Sequence, residues 1–333
     1  MSNIKKINWL LILQGWAMLW VVIGHSTVGT PGEGPGWENV LYHFAYSFHM
    51  PLFMLVSGWL FYLTRLEVKE NAPLTWSYGL IIWDKSLRLL LPGLFFSFIA
   101  FVLKLAFPGE MARQTGFNIH DIVYAYLYPY DNPFRELWFI VTLFWLMMLT
   151  PLWRLSIKKS MAFEVGVALL LAVLHFCHPN IELLCIGKVF SHAVWFYLGL
   201  VICKERIVET VFRKNKCLTV IIGIVFYYIG IYTNPFVTTI SGILFSFGVA
   251  LIADKYLPQL FCGFRTYTYQ IFLMGIFVQI GVKIVYRHVP IPYLGAFLLC
   301  ILVGLYVPVV ISKMLEWINW KPILMCVGLK NKK

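Results

Sequence analysis
An imidazole that closes an apolar, helix-sized run is the group in this chain best suited to chemistry. His25 ends the run from Ile7 to Ser26, with Asn8 and Gln14 among the few polar residues before it. A neutral imidazole takes a proton from a hydroxyl near neutral pH, so it suits a general base that turns an alcohol into a nucleophile. Gln14 stands 11 residues earlier. At about 100° per residue that is three turns plus roughly 20° and a rise of about 16 Å, so both side chains fall on one helix face. A polar stripe of this kind would line a passage from the inner to the outer side. Spacing alone leaves a second reading open, a histidine at the membrane interface with no chemistry.

His49 is the second candidate. It precedes Met50 and Pro51 in the 15-residue segment FHMPLFMLVSGWLFY, from Phe48 to Tyr62. Pro51 frees a backbone carbonyl and can bend its helix toward a cavity. His49 either binds substrate there or holds the kink, and His43 reads as interfacial. His175 and His178, with Cys177 between them, resemble metal ligands only loosely, and no metal site is expected. The seven cysteines show no C-x-x-C spacing and read as packing residues, although Cys177 and Cys185 could meet in an outer loop. The glycines of Gly29–Trp37 form a turn rather than a phosphate loop, because no Lys-Ser/Thr and helix follow them.

These groups need an apolar scaffold to position them. The chain is 60% hydrophobic, 17% aromatic and only 13% charged over 333 residues, too much apolar surface for a soluble core. Runs of about 20 apolar residues cross a bilayer. Spans are expected near 7–27, 40–63, 87–107, 137–153, 161–177, 189–203, 217–232, 236–253, 267–285 and 293–315. The expectation is thus an all-α integral membrane protein of about ten transmembrane helices, a single domain over 1–333 with both termini cytoplasmic. The first span reads as a retained anchor, since no small-x-small cleavage site follows it. Of the 27 Lys and Arg residues, all but Lys104, Arg113, Arg135, Lys188, Lys283 and Arg287 fall on the inner side in this topology. The net charge of +12 is therefore read as topology and contact with anionic lipid, with no nucleic acid partner.

No Asp or Glu lies deep in an expected span, since Asp84, Glu136, Glu164, Asp254 and Glu316 fall near helix ends. That argues against an ion-coupled transporter, which places carboxylates near the midplane. The outer stretch 108–134 is long for a bare connection and reads as an interfacial helix or a lid. Its Tyr124, Tyr126, Tyr128 and Tyr130 form either an interface belt or a sugar platform. On the inner face, Lys85 and Arg88 stand where the phosphates of a cytoplasmic acyl-CoA would arrive, or simply obey the positive-inside rule.

Four segments occur in order: LQGWAMLWVVIGH ending at His25, FHMPLFMLVSGWLF from Phe48, RLLLPGLFF from Arg88 and LWFIVTLFW from Leu137. Together they resemble the bacterial multi-pass O-acyltransferases of acyltransferase family 3, which modify polysaccharides, lipopolysaccharide, peptidoglycan or glycolipids. The first is similar to that family's Leu-Arg-Gly, small and apolar residues, two valines and His. The second is similar to its Phe-x-Met-Pro-Leu-Phe followed by Ser-Gly. The resemblance covers most of the chain and puts His25 at the family's essential histidine. Gln14 stands where the family carries arginine, and Leu11 where an acidic residue is frequent. TYTYQIFLMGIF from Thr266 resembles the late-helix pattern, with Gly275 where many members have His.

What the resemblance implies is a bacterial inner-membrane O-acyltransferase, acetyl by default, with no bound cofactor. Acyl-CoA, acetyl-CoA in the default case, would dock near Lys85 and Arg88. His25 would activate a hydroxyl of a glycan or glycolipid acceptor, directly or through an acyl-imidazole, with Gln14, His49, Tyr124 and Tyr126 in support. The Gln14 departure keeps two other classes open: a glycan-export or flippase component, and an acyl-group carrier without transferase chemistry.

Overall fold
The computed structural model describes residues 7–28, 35–66, 74–107 and 116–330. Most of the Gly29–Trp37 turn, the first part of the 108–134 stretch, and Lys5, Lys6, Lys69 and Arg113 lie outside the described residues. The described residues form helices joined by short turns. Among the described residues, seven helices are long and apolar enough to cross a membrane, or eight if the bent pair Leu137–Met148 and Thr150–Ile157 is one span. The remaining two expected spans correspond to shorter apolar helices, Asn8–Gly24 and Met161–Phe176. Each expected span therefore falls on a helix, while length and composition support seven or eight crossings. The chain divides into two compact units, one of residues 1–56 and 206–314, the other of 57–205 and 315–333.

The first unit contains α1 (Asn8–Gly24), the larger part of α2 (Gly36–Phe61), α10 (Lys216–Thr233), α11 (Pro235–Tyr256), α12 (Thr268–His288) and most of α13 (Tyr293–Ile318). Small residues let these helices approach closely, as is usual where lipid supplies no hydrophobic drive between helices. A Cβ on Gly223 or on Gly230 of α10 would lie 2.7 Å from the backbone nitrogen of Phe245 or Thr238 of α11. Asn234 starts α11 by accepting from the Phe236 N–H, with Pro235 in the first turn. Trp16 of α1 donates its indole N–H to Ser246 Oγ of α11 at 3.0 Å.

Pro51 has no N–H, so the carbonyl of Ser47 one turn earlier loses its helical partner. Thr239 of α11 donates its hydroxyl to that carbonyl at 2.7 Å. At the far end of α1, Asn8 donates to Asp254 Oδ1 at 2.8 Å and accepts from Arg265 at 2.9 Å, and Arg265 also ties down the carbonyls of Pro258 and Leu260.

The second unit contains the end of α2 and a π-helical turn (Tyr62–Leu66), then α3 (Leu74–Lys85), a second π-helical turn (Ser86–Leu90), α4 (Leu91–Ala106) and α5 (Ile119–Leu127). It continues through α6 (Leu137–Met148), α7 (Thr150–Ile157), α8 (Met161–Phe176), α9 (Ile186–Lys204) and α14 (Lys321–Cys326). Pro151 opens α7, and the axis turns by 53° between α6 and α7. Glu164, fully buried near the start of α8, is paired with Lys204 at the end of α9. The buried Asn132 accepts from the Ser97 hydroxyl of α4 and donates to the Ala125 carbonyl of α5, pinning the segment after α5.

The Ser57-Gly58 pair has a steric cause, because a Cβ on Gly58 would fall 2.0 Å from the Phe196 carbonyl oxygen of α9. Gly58→Val is expected to lower the unfolding free energy by about 1–3 kcal/mol through overpacking. Gly166→Ala, with nothing within 4 Å of the added carbon, is expected to raise it by about 0.5–1 kcal/mol. Thermal or denaturant unfolding in detergent measures both, and equal effects would contradict the packing assigned to Gly58.

Candidate active site
His25 sits directly after α1 as its C-cap, and its N–H closes the last turn onto the Val21 and Val22 carbonyls. The final carbonyls of any helix lack intrahelical donors. Val22 recovers them from the Ser26 hydroxyl at 2.7 Å and from the Gln279 amide at 3.0 Å, and the same amide also donates to Ser26 Oγ at 2.9 Å. Gln279 is only 1% exposed. A buried amide of α12 thus fixes the turn that carries His25. Gly304 of α13 makes room for it, since a Cβ there would lie 3.1 Å from the Gln279 side chain.

The His25 ring meets Tyr46 of α2 edge to face, with centroids 6.0 Å apart. Gly24 permits that approach: a Cβ there would stand 3.0 Å from the Tyr46 ring. Tyr46 in turn meets the His49 ring at 4.9 Å and perpendicular. On its other side it packs against Tyr42 at 4.2 Å, which touches His43 at 5.6 Å. His49 is buried, whereas Tyr42, His43 and Tyr46 are exposed.

His49 Nδ1 bonds the Ala45 carbonyl. A carbonyl only accepts, so Nδ1 carries the proton and Nε2 carries the lone pair. The site thus sets two imidazoles on either side of one phenol, and one of them has a defined basic nitrogen. That arrangement can take a proton from a hydroxyl and pass it on.

Gln14 is half-buried on α1. Between it and His25 on the shared face lie Met18 and Val21, both buried. The expected polar stripe is therefore interrupted by apolar packing, because those two side chains belong to the core of the unit. Gly15 beside it packs against the Phe261 and Arg265 side chains.

Lys85, Arg88, Tyr124 and Tyr126 belong to the second unit. Asp84 serves two cations there, pairing with Arg65 and with Arg88 Nε at 2.8 Å. Lys85 stands 5.8 Å over the Phe61 ring. The two π-helical turns carry Arg65 and Arg88, and such turns often mark functional positions. Three cations around one carboxylate leave a local positive excess suited to phosphate.

Tyr124 is exposed and stacked on Tyr128 at 4.3 Å. Lost solvation, then the neighbouring Asp131 carboxylate, raises its phenol above the usual pKa, so it remains a neutral donor. Tyr126 is half-buried against Phe101 of α4 and serves packing. His175 and His178 use Nδ1 on the carbonyls of Ser191 and His175. Cys177 and Cys185 are both free thiols.

Tyr46, Ser26, Gln279 and Arg65 escaped sequence reasoning. Gln279 had a legible signal, being one of two amides in an apolar helix, where an unpaired polar group is costly. Tyr46 had none, because tyrosines are common throughout the chain.

Residues 7–313 match the family described as an acyltransferase domain. The chain belongs to that acyltransferase family. The match includes His25, Tyr46, His49 and Gln279 in the first unit and Arg65, Lys85 and Arg88 in the second. The chain is also 26% identical over 200 residues to nodulation protein NolL of Mesorhizobium japonicum, covering 56% of this chain and 48% of that relative. The chain thus spans about half the length of this curated relative. No solved structure matches it.

Replacing the buried amide by an apolar side chain of similar length tests whether His25 depends on its support. Gln279→Met is expected to lower the maximal rate of acyl transfer about tenfold with smaller changes in KM, because displacing the turn that carries His25 would act on a chemical step performed there. Steady-state kinetics in proteoliposomes measure it, and unchanged turnover would remove Gln279 from the site.

Proposed function
We propose that the protein is a membrane O-acyltransferase of the bacterial inner membrane. It moves an acyl group, acetyl by default, from cytoplasmic acyl-CoA to a hydroxyl of an extracytoplasmic polysaccharide or lipid-linked sugar. The observation that carries this reading is His25 in a chain of the acyltransferase family, held at the end of α1 by Gln279 and Ser26 and flanked through Tyr46 by His49.

In this reading the imidazole of His25 takes the proton of the sugar hydroxyl as its oxygen attacks the thioester carbonyl. The C–S bond then breaks, and the departing thiolate of CoA receives a proton from the imidazolium. In the two-step variant the imidazole itself is acylated first, releasing CoA, and the sugar oxygen displaces it. His49, with its lone pair on Nε2, supports the orientation of the acceptor. Lys85, Arg88 and Arg65 supply the positive charge that suits the phosphates of acyl-CoA. Gln14 keeps hydrogen-bonding capacity on α1 but lacks the fork and fixed charge of an arginine.

Membranes containing the wild type or His25→Ala, given radiolabelled acetyl-CoA, test the reading. Label is expected in the glycan or glycolipid fraction with wild type and about a hundredfold less with the variant, the usual range for loss of a general base. Equal label from both would refute the assignment. Labelled acetyl that crosses the membrane without entering either fraction would instead make the protein a carrier. Reversing charge at Lys85 and Arg88 together is expected to raise the KM for acetyl-CoA about tenfold, roughly 1.4 kcal/mol. An unchanged KM would leave those cations to membrane topology alone.

A further inference from the structure
We propose that the second unit carries a binding subsite for an anionic sugar, at the pocket between Tyr130 and the connection from α8 to α9. The inference rests on the proposed glycan acceptor and names its charge class and its place. The pocket encloses about 140 Å³ and is lined by Tyr130, His178, Asn180, Glu182 and Lys188 among others. It differs in character from the larger groove of the same unit, about 520 Å³ along α7, α8 and α9, whose lining is almost wholly apolar.

Lys188 lines the pocket, and Arg135 reaches the same Tyr130 ring from outside the lining. The Arg135 guanidinium lies 5.7 Å and the Lys188 ammonium 5.2 Å from the centre of Tyr130. Trp138 stacks on the same ring at 5.6 Å and an interplanar angle of 24°, fixing its orientation. Among the described residues neither cation is paired with a carboxylate. A ring quadrupole offsets the charge of a cation only in part. A bound anion completes the balance, and a guanidinium fork matches carboxylate or phosphate.

The lining also carries the opposite chemistry. Glu182 accepts hydrogen bonds from hydroxyls and repels a second anion, while Asn180 both donates and accepts. A ligand that satisfies both sides is charged at one end and hydroxylic at the other. A uronic acid residue and a sugar phosphate share that chemistry.

The wall of the pocket is held firmly. Leu184 and Cys185 are consecutive left-handed residues, with φ of 48° and 59°. The Gly187 N–H bonds the Ile181 carbonyl at 2.8 Å, and a Cβ on Gly187 would lie 2.6 Å from the Pro179 carbonyl oxygen. Non-glycine residues in that region persist only where the surroundings impose them, and they gather at binding sites.

The test titrates the full-length protein in lipid nanodiscs with trigalacturonate, glucose 1-phosphate and neutral galactotriose, followed by calorimetry. At least one charged probe is expected to bind wild type and His25→Ala alike, and at least tenfold more tightly than galactotriose. The double variant Arg135→Gln, Lys188→Gln is expected to lose at least tenfold of that affinity with an unchanged thermal midpoint. Which charged probe wins tells carboxylate from phosphate. Equal binding of neutral and charged probes, binding indifferent to the double variant, or no binding of either charged probe would overturn the subsite. If wild type transfers acetyl to a glycan while no charged sugar binds, the subsite falls and the transferase stands. If charged sugar binds while no acetyl is transferred, the transferase falls and the subsite stands.

Discussion

In hydrocarbon a polar group without a partner costs several kcal/mol, and this constraint governs where the helices of this protein break and how they meet. Pro51 frees the Ser47 carbonyl, and Thr239 of the neighbouring helix takes it. The end of α1 exposes the Val22 carbonyl, and Gln279 takes it. Pro308 frees the Gly304 carbonyl, and Gly275 of α12 lies against it, where a Cβ would approach within 3.1 Å. Glu164, buried in α8, draws Lys204 from α9. At these places a freed carbonyl or a buried charge on one helix meets a residue of another.

The candidate histidine site follows from the same rule. His25 lies at a helix end, where unsatisfied carbonyls are unavoidable, and the amide that satisfies one of them also orients the turn bearing the imidazole. Gly24 and Gly304 open the space in which the Tyr46 ring and the Gln279 amide come close. Three helices, α1, α2 and α12, thus converge on a few atoms. The turn that bears His25 is positioned by buried hydrogen bonds and ring contacts.

The second unit holds several cations in two ways. Arg65 and Arg88 share Asp84, while Lys85, Arg135 and Lys188 rest over aromatic rings. An ammonium or guanidinium above a ring keeps much of its positive field, whereas one paired to a carboxylate loses most of it. Cations stored this way stay available to an anionic ligand. The family match runs through both units, from residue 7 to residue 313.

Much of this was legible in the residues. Apolar runs of bilayer length placed a helix at every expected span, since hydrophobic periodicity is local information. The ordered segments around His25, Phe48, Arg88 and Leu137 marked the family, and His25 and His49 stood out because imidazoles are rare in apolar runs. The sequence could not tell that α1 and α8 are shorter than a full span, because helix ends depend on capping by other segments. Nor could it tell that Tyr126 packs inward while Tyr124 stays exposed, or that Tyr46 joins two histidines. By itself the sequence determined which segments are helical, which family they compose and which side chains carry protons or charge, all properties of residue type and local spacing. Only the tertiary structure decided which polar atoms find each other, because partners such as Val22 and Gln279 lie 257 residues apart and meet only when α1 and α12 pack.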